Sequence, residues 1–245
     1  MKKISITSIV FLSVIFKPYA QNYSTLKVKE EFDLFNSYIV NQYNPCSIAP
    51  NSDQNVYGDG MSFILDGYIT MYKTTKDKAY LYKFIIQSIC ILENRHDFSG
   101  INSEPRWSEH MYQDGYILGA LARFVYLIKN EENSLQQLPI YQFSEISNNT
   151  FGLQFNTFIQ YANWLQIRVS ESLIWFHTNG FWDNVLGYKK GQNLEIAAPI
   201  NMQIGFGRAL LFIGLAEQNY DFQTKANTIA LLFKGNISFY DPCDD

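Results

Sequence analysis

The tetrapeptide Asp-Gly-Tyr-Ile occurs twice, as Asp66-Gly67-Tyr68-Ile69 and as Asp114-Gly115-Tyr116-Ile117, 48 residues apart. A looser copy follows, because Gln113-x-Gly115-Tyr116 reappears as Gln203-x-Gly205-Phe206 a further 90 residues on. Each copy lies near the start of a segment whose apolar residues recur at helical spacing. In residues 61–73 these are Met61, Ile64, Leu65, Tyr68 and Tyr72. After the short link TTKDK, residues 79–93 place Tyr80, Phe84, Ile85, Ser88, Ile89 and Leu92 on one stripe, with Asp77 positioned to cap it. The pattern returns in residues 108–129 and 151–177, and again in 200–217 and 221–233, while a single helix over 26–40 precedes them all. Two helices every 45–50 residues or so predict stacked helical hairpins, each burying a face against its neighbours. Only residues 181–188 show the alternation of a small β-hairpin. The expected fold class is all-α.

The N-terminus reads as a removable export signal. Lys2 and Lys3 precede an apolar run over residues 4–16, and Lys17-Pro18-Tyr19-Ala20 closes it, matching the three regions of a signal peptide with cleavage after Ala20. The run falls short of the roughly 20 apolar residues of a bilayer span. No cysteine follows it, so a lipid anchor is not expected, and residues 21–245 would form one secreted or periplasmic domain. Loss of residues 1–20 removes three lysines and no acid, leaving 16 basic and 23 acidic residues, a net charge of −7. Nucleic-acid binding is disfavoured by that balance, since it relies on a basic surface that neutralises phosphates.

Three cysteines are too few for a disulfide scaffold and lack the spacing of a zinc site. Cys46 and Cys243 sit in loop-like sequence and are the pair expected to join after export, whereas Cys90, within IIQSICIL, reads as a small buried hydrophobe. No phosphate loop, nucleophile elbow, HExxH or GxGxxG is present. His96, His110 and His177 lack ligand spacing, so neither a metal nor another cofactor is expected.

Two stretches, YKTTKDKAYLYKFI and NMQIGFGRALLFIGLAEQNYDFQTKANTIALLFK, resemble the hairpin unit of (α/α)-toroid carbohydrate-active proteins. That group includes polysaccharide lyases, six-hairpin glycosidases and the helical domain of glucuronyl epimerases, and the likeness covers about residues 58–236. Six hairpins of about 45 residues would need about 270 residues, whereas this chain has three pairs and one extra helix. An open arc and a fragment of a longer barrel both fit that shortfall. The resemblance implies a polysaccharide or oligosaccharide substrate bound at one mouth, where the N-terminal ends of the first helix of each pair meet. Those segments carry Asp59, the run from Arg106 to Asp114, and Asn201 with Gln203.

Two chemistries are expected there. β-Elimination of a uronic-acid polymer needs a base, an acid and a group that neutralises the carboxylate. His110 and Tyr112 suit the proton transfers, with Asp114 one turn below His110, and Arg106, Asn201 or Gln203 suit the carboxylate. Glycoside hydrolysis needs two carboxyls about 5 Å apart for retention or about 6.5–9.5 Å for inversion, and Asp59, Asp66, Glu109 and Asp114 are the candidates. Trp107 and Trp182 are the expected sugar platforms, since a flat ring offers apolar contact beside a polar rim. The competing reading is structural: His110 caps its helix, Tyr112 belongs to the core, the acids complement helix dipoles, and the protein is a glycan-binding or scaffold protein without turnover.

Overall fold

The computed structural model describes residues 24–42, 46, 56–141, 146, 148–192 and 195–236. Among these residues are eight α-helices, seven of which follow the expected apolar stripes. Helix α1 (Thr25–Gln42) is followed by a π-helical turn at Val56–Met61 that leads into α2 (Ser62–Thr75). Lys76, in the left-handed conformation at φ 58°, stops α2. The Asp77 carboxylate accepts the Ala79 N–H at 3.0 Å and so starts α3 (Ala79–Glu93), as expected for a cap. A four-residue helix, α4 (His96–Ser99), leads into the segment before α5 (Met111–Tyr126), which runs on as a π-helical turn at Leu127–Glu131. Helix α6 (Phe158–Thr178) precedes a two-stranded antiparallel hairpin, β1 (Trp182–Asp183) with β2 (Gly187–Tyr188), in the place expected for one. The helices α7 (Ile200–Glu217) and α8 (Tyr220–Asn236) complete the described chain.

Helices α5 and α7 touch backbone to backbone. A Cβ on Gly205 would stand 2.4 Å from the Gly115 carbonyl carbon, and one on Gly119 would stand 2.9 Å from the Gly205 oxygen. No side chain larger than hydrogen fits there, which is why the two related motifs both carry glycine at that position. The matched pairs ascend together, so α5 and α7 are parallel and level in the register of the repeat. Helix α2 is parallel to α5 but slipped along it: Gly58 packs on Gln113, the Phe63 ring lies 5.9 Å from Tyr116, and Arg123 donates to the Asp66 carboxylate at 3.0 Å across 57 residues rather than 48. The slip has a physical cause, since α2 docks on α5 through Gly58 while the bare surface at Gly67 is filled by the Phe32 ring of α1. Arg208 of α7 also binds Asp66, at 2.7 Å, so one half-buried carboxylate joins α2, α5 and α7.

The second helix of each pair returns antiparallel. Gln166 and Ser170 of α6 donate to Glu217 at the end of α7 (2.9 and 2.8 Å), while Phe176, near the other end of α6, packs 4.9 Å from Phe206. On α8, Gln223 faces Gly214 and Ile229 faces Gly207. Between the helices lies a core of aliphatic and aromatic side chains, with Phe84 stacked on Phe124 at 4.3 Å. Among the described residues no helix is long and apolar enough to cross a membrane.

Two expectations are corrected. The disulfide joins Cys46 to Cys90, so Cys90 is a bonded partner rather than a free buried thiol, and the last turn of α3 is tied to the segment ahead of α2. Helix α6 starts at Phe158 instead of residue 151: Phe151 and Phe155 carry helical spacing but belong to a connecting segment that folds back so that both rings pack on Trp164, at 5.0 and 5.1 Å. The expected signal peptide, residues 1–20, lies outside the described residues, as does Cys243.

Candidate functional site

The N-terminal ends of α2, α5 and α7 converge, as the contacts of Gly58 with Gln113 and of Gly205 with Gly115 require. The segment between α3 and α5 forms the centre of this end, and two fully buried ionisable side chains, Arg95 and Asp114, hold it. Arg95 has no exposed surface. It donates to both oxygens of Asp97 (2.8 and 2.9 Å), to Glu171 (3.0 Å), to the Arg168 carbonyl (2.8 Å) and to the Ser172 hydroxyl (3.2 Å), and its guanidinium lies 4.5 Å from the Phe98 ring centre. The Arg106 carbonyl accepts the His96 N–H at 2.8 Å, which closes the segment into a loop. Burial, followed by the Arg106 charge, pulls the His96 imidazole below its ordinary range.

Trp107 follows, and it is interior rather than a platform. Only 3% exposed, it donates from its indole to the Ile91 carbonyl at 2.6 Å. Its backbone N–H donates to Asp114 Oδ1 at 2.7 Å. Asp114 is completely buried, and Oδ2 has no hydrogen-bond partner among the described residues. Desolvation pushes its carboxyl up to about 8, opposed by backbone N–H groups, that of Trp107 foremost, and by the Arg106 charge. The expected site residue Asp114 is therefore a buried, protonated group at neutral pH, out of direct reach of a ligand at the surface.

His110 and Tyr112 emerge from this support. The Ser108 hydroxyl accepts the His110 N–H at 2.9 Å, and the His110 side chain makes no cap hydrogen bond although His110 occupies the N-cap position. The capping explanation for His110 thus does not hold, and its imidazole is exposed. The ring lies 6.1 Å from Tyr112 and nearly parallel to it; Tyr112 meets Tyr116 edge-on at 6.2 Å, and Tyr116 meets Phe63 at 5.9 Å. Phe63 is 58% exposed. Four rings from α2, α5 and the segment before α5 form one continuous row.

The other expected residues divide. Arg106 borders the row, but its guanidinium is engaged by Glu104 (2.6 Å), by Glu109 (3.1 Å) and by the Ser108 carbonyl (3.3 Å), over the Trp175 ring. Asn201 is exposed in the first turn of α7. Asp59 belongs to the turn Val56–Met61 that packs on the start of α5. Gln203 is buried and organises the β-hairpin: its Oε1 accepts the Tyr188 N–H (2.9 Å), and its amide donates to the carbonyls of Ala198 (2.8 Å) and Leu186 (3.3 Å). A Cβ at Gly187, where φ is 71°, would stand 2.2 Å from that Oε1. Trp182 stands in a separate cluster with His177 (5.5 Å), Tyr188 (5.2 Å) and the Lys225 ammonium (5.9 Å). There the Tyr188 hydroxyl meets His177 Nε2 at 2.9 Å, and burial, then Lys225, lowers the His177 imidazole to about 4.

Of the hydrolytic carboxyl candidates, Asp66 is clamped by two arginines, Asp114 is interior, and Glu109 is exposed but paired with Arg106. No group of three His, Cys, Asp or Glu among the described residues is placed to hold a metal ion. Tyr116 stands at an expected helix start, where a flat ring suits a sugar face, whereas Phe63 falls outside the set expected from sequence. Phe63 carried a readable signal: it interrupts a polar face, one residue off the Met61, Ile64, Leu65 stripe. No family model, no curated protein and no solved structure matches the chain.

Proposed function

We propose that the protein is an exported, carbohydrate-active protein whose three helix pairs form an open arc of an (α/α) toroid. Its substrate is a uronic-acid-containing polysaccharide or oligosaccharide, processed by β-elimination at the start of α5. The observation that carries this reading is the row His110, Tyr112, Tyr116 and Phe63, whose faces suit successive sugar rings and which ends on an exposed imidazole beside a phenol. In this scheme His110 removes the C5 proton, the C4–O bond breaks, and the Tyr112 hydroxyl protonates the departing oxygen. Arg106 and Asn201 border the position of the uronate carboxylate. The parallel α2, α5 and α7, each followed by an antiparallel helix, support the toroid reading.

A second reading, glycan binding without turnover, is favoured by Arg106 alone, because Glu104 and Glu109 already occupy its guanidinium. The purified protein, offered a panel of uronic-acid polymers, is expected to generate the ultraviolet absorbance of unsaturated uronides, and His110→Ala to lower that rate by at least about a hundredfold. Release of reducing ends from a neutral glycan without that absorbance would point to hydrolysis instead. Binding to a glycan array with no product from any bound polymer would establish the second reading.

A further inference from the structure

The Arg106 guanidinium is fixed on three sides, and a weakly held carboxylate covers what is left. Glu104 accepts from Nε and Nη2 at 2.6 Å, the Ser108 carbonyl accepts from Nη1 at 3.3 Å, and the Trp175 ring centre lies 5.3 Å away. Glu104 is itself held, since its N–H donates to Asn102 Oδ1 at 2.8 Å and the Asn102 amide donates to its carboxylate at 3.2 Å. The Arg106 carbonyl accepts the His96 N–H, which pins the backbone as well. Only 12% of the Arg106 side chain is exposed. An arginine ordered this far loses little further freedom when it meets an anion.

Glu109 contrasts with Glu104. Its side chain is 68% exposed, both its oxygens use Nη2 alone, at 3.1 and 3.2 Å, and it has no other hydrogen-bond or ion-pair partner among the described residues. The two-nitrogen fork that makes arginine–carboxylate pairs strong is missing. An exposed pair of this kind biases its own equilibrium by no more than about fivefold. Glu109 also stands directly before His110, at the imidazole end of the ring row.

We infer that Glu109 is a built-in stand-in for the carboxylate of the ligand: it occupies an anion seat on Arg106, and a uronate carboxylate binds there by displacing it. The inference rests on the glycan reading of this site and adds how the seat is kept and what selects for an acidic sugar. Exchange of one carboxylate for another leaves Arg106 paired in both states, so an acidic sugar gives up only the weak Glu109 contact. A neutral sugar has no group to take the seat and leaves Glu109 in place. Glu104 stays on Arg106 throughout.

The test is calorimetric titration of the full exported chain with a galacturonate trisaccharide and, in parallel, with its methyl ester. Glu109→Gln, a change at an exposed position, is expected to leave the helical circular dichroism unchanged and to tighten binding of the acid about two- to fivefold. The ester is expected to bind both proteins equally. Arg106→Gln weakens binding of the acid by at least about tenfold, and in that background Glu109→Gln has no further effect. The ester comparison needs no change at Arg106 and decides the matter should that variant unfold. Equal affinity of wild type and Glu109→Gln for the acid, the same gain for acid and ester, a gain that persists without Arg106, or no acid bound by either protein each overturns the proposal. The expected pattern without any unsaturated product would uphold the seat and sink the elimination reading. Turnover of a uronate polymer with no response to Glu109→Gln would do the reverse.

Discussion

Arg95 and Asp114 stand near the two ends of the segment joining α3 to α5, and neither has exposed surface. Burial of a charge is tolerated when hydrogen bonds replace water, and the two residues answer that demand differently. Arg95 uses its guanidinium on two carboxylates, a carbonyl and a hydroxyl, and packs on Phe98. Asp114 uses one oxygen on Trp107 and leaves the other without a partner, so it holds a proton instead of a charge. The arginine is a completed structural tie. The aspartic acid is a support whose state depends on pH, one turn beneath the exposed His110.

From that contrast, Arg95→Leu has a large effect, about 3 kcal/mol of lost stability in urea unfolding, because it empties a buried site, strips Asp97 of its cation and leaves Glu171 with Arg168. A loss below about 1 kcal/mol would show that the network is not a structural tie. Trp107→Phe comes next, at about 1–3 kcal/mol, since the buried Ile91 carbonyl loses its indole donor while the backbone bond to Asp114 remains.

The effect of Asp114→Asn depends on pH. The folded carboxyl titrates near 8 and the unfolded one near 3.9, so the native state binds the proton more tightly across that window. Wild-type stability therefore falls as pH rises through it, by at most about 1.4 kcal/mol per pH unit, and the asparagine variant lacks this decline. His177, lowered to about 4, acts in the opposite direction: its contribution is lost as pH falls below about 6.5. The difference between variant and wild type cancels that term, and parallel stability curves from pH 4 to 8 would refute a protonated Asp114. The smallest effect on stability belongs to His110→Ala, within about 0.5 kcal/mol by thermal unfolding, because the imidazole is exposed and makes no cap bond. A substantial destabilisation there would move His110 from the candidate site to the framework.

The helices were legible in proportion to how local their signals are. Residues 200–217 form α7 with the expected bounds because Pro199 and a dense apolar run define them. Helix α5 begins at Met111 rather than Ser108, since the Ser108 hydroxyl is used on the His110 N–H, a choice that depends on where the preceding segment lies. Phe151 and Phe155 imitated a helical stripe because an aromatic that folds back on Trp164 is as apolar as one on a helix face. In the candidate site, His110 and Tyr112 were readable as polar residues that the repeat does not require. Trp107 and Gln203 were indistinguishable from surface residues, since their partners, Ile91 and the β-hairpin backbone, lie 16 and 15 residues away.

By itself the sequence determined the paired helices and the glycines that let α5 and α7 meet, because helical period and the absence of a Cβ are properties of residues and their spacing. Only the tertiary structure decided that Cys90 pairs with Cys46, that α2 is slipped along α5, and that Asp114 is interior while His110, four residues earlier, faces solvent. Those outcomes depend on which distant backbone covers each position. Phe32 over Gly67 sets the first helix pair, and Trp107 beneath Ile91 brings the N–H that meets Asp114.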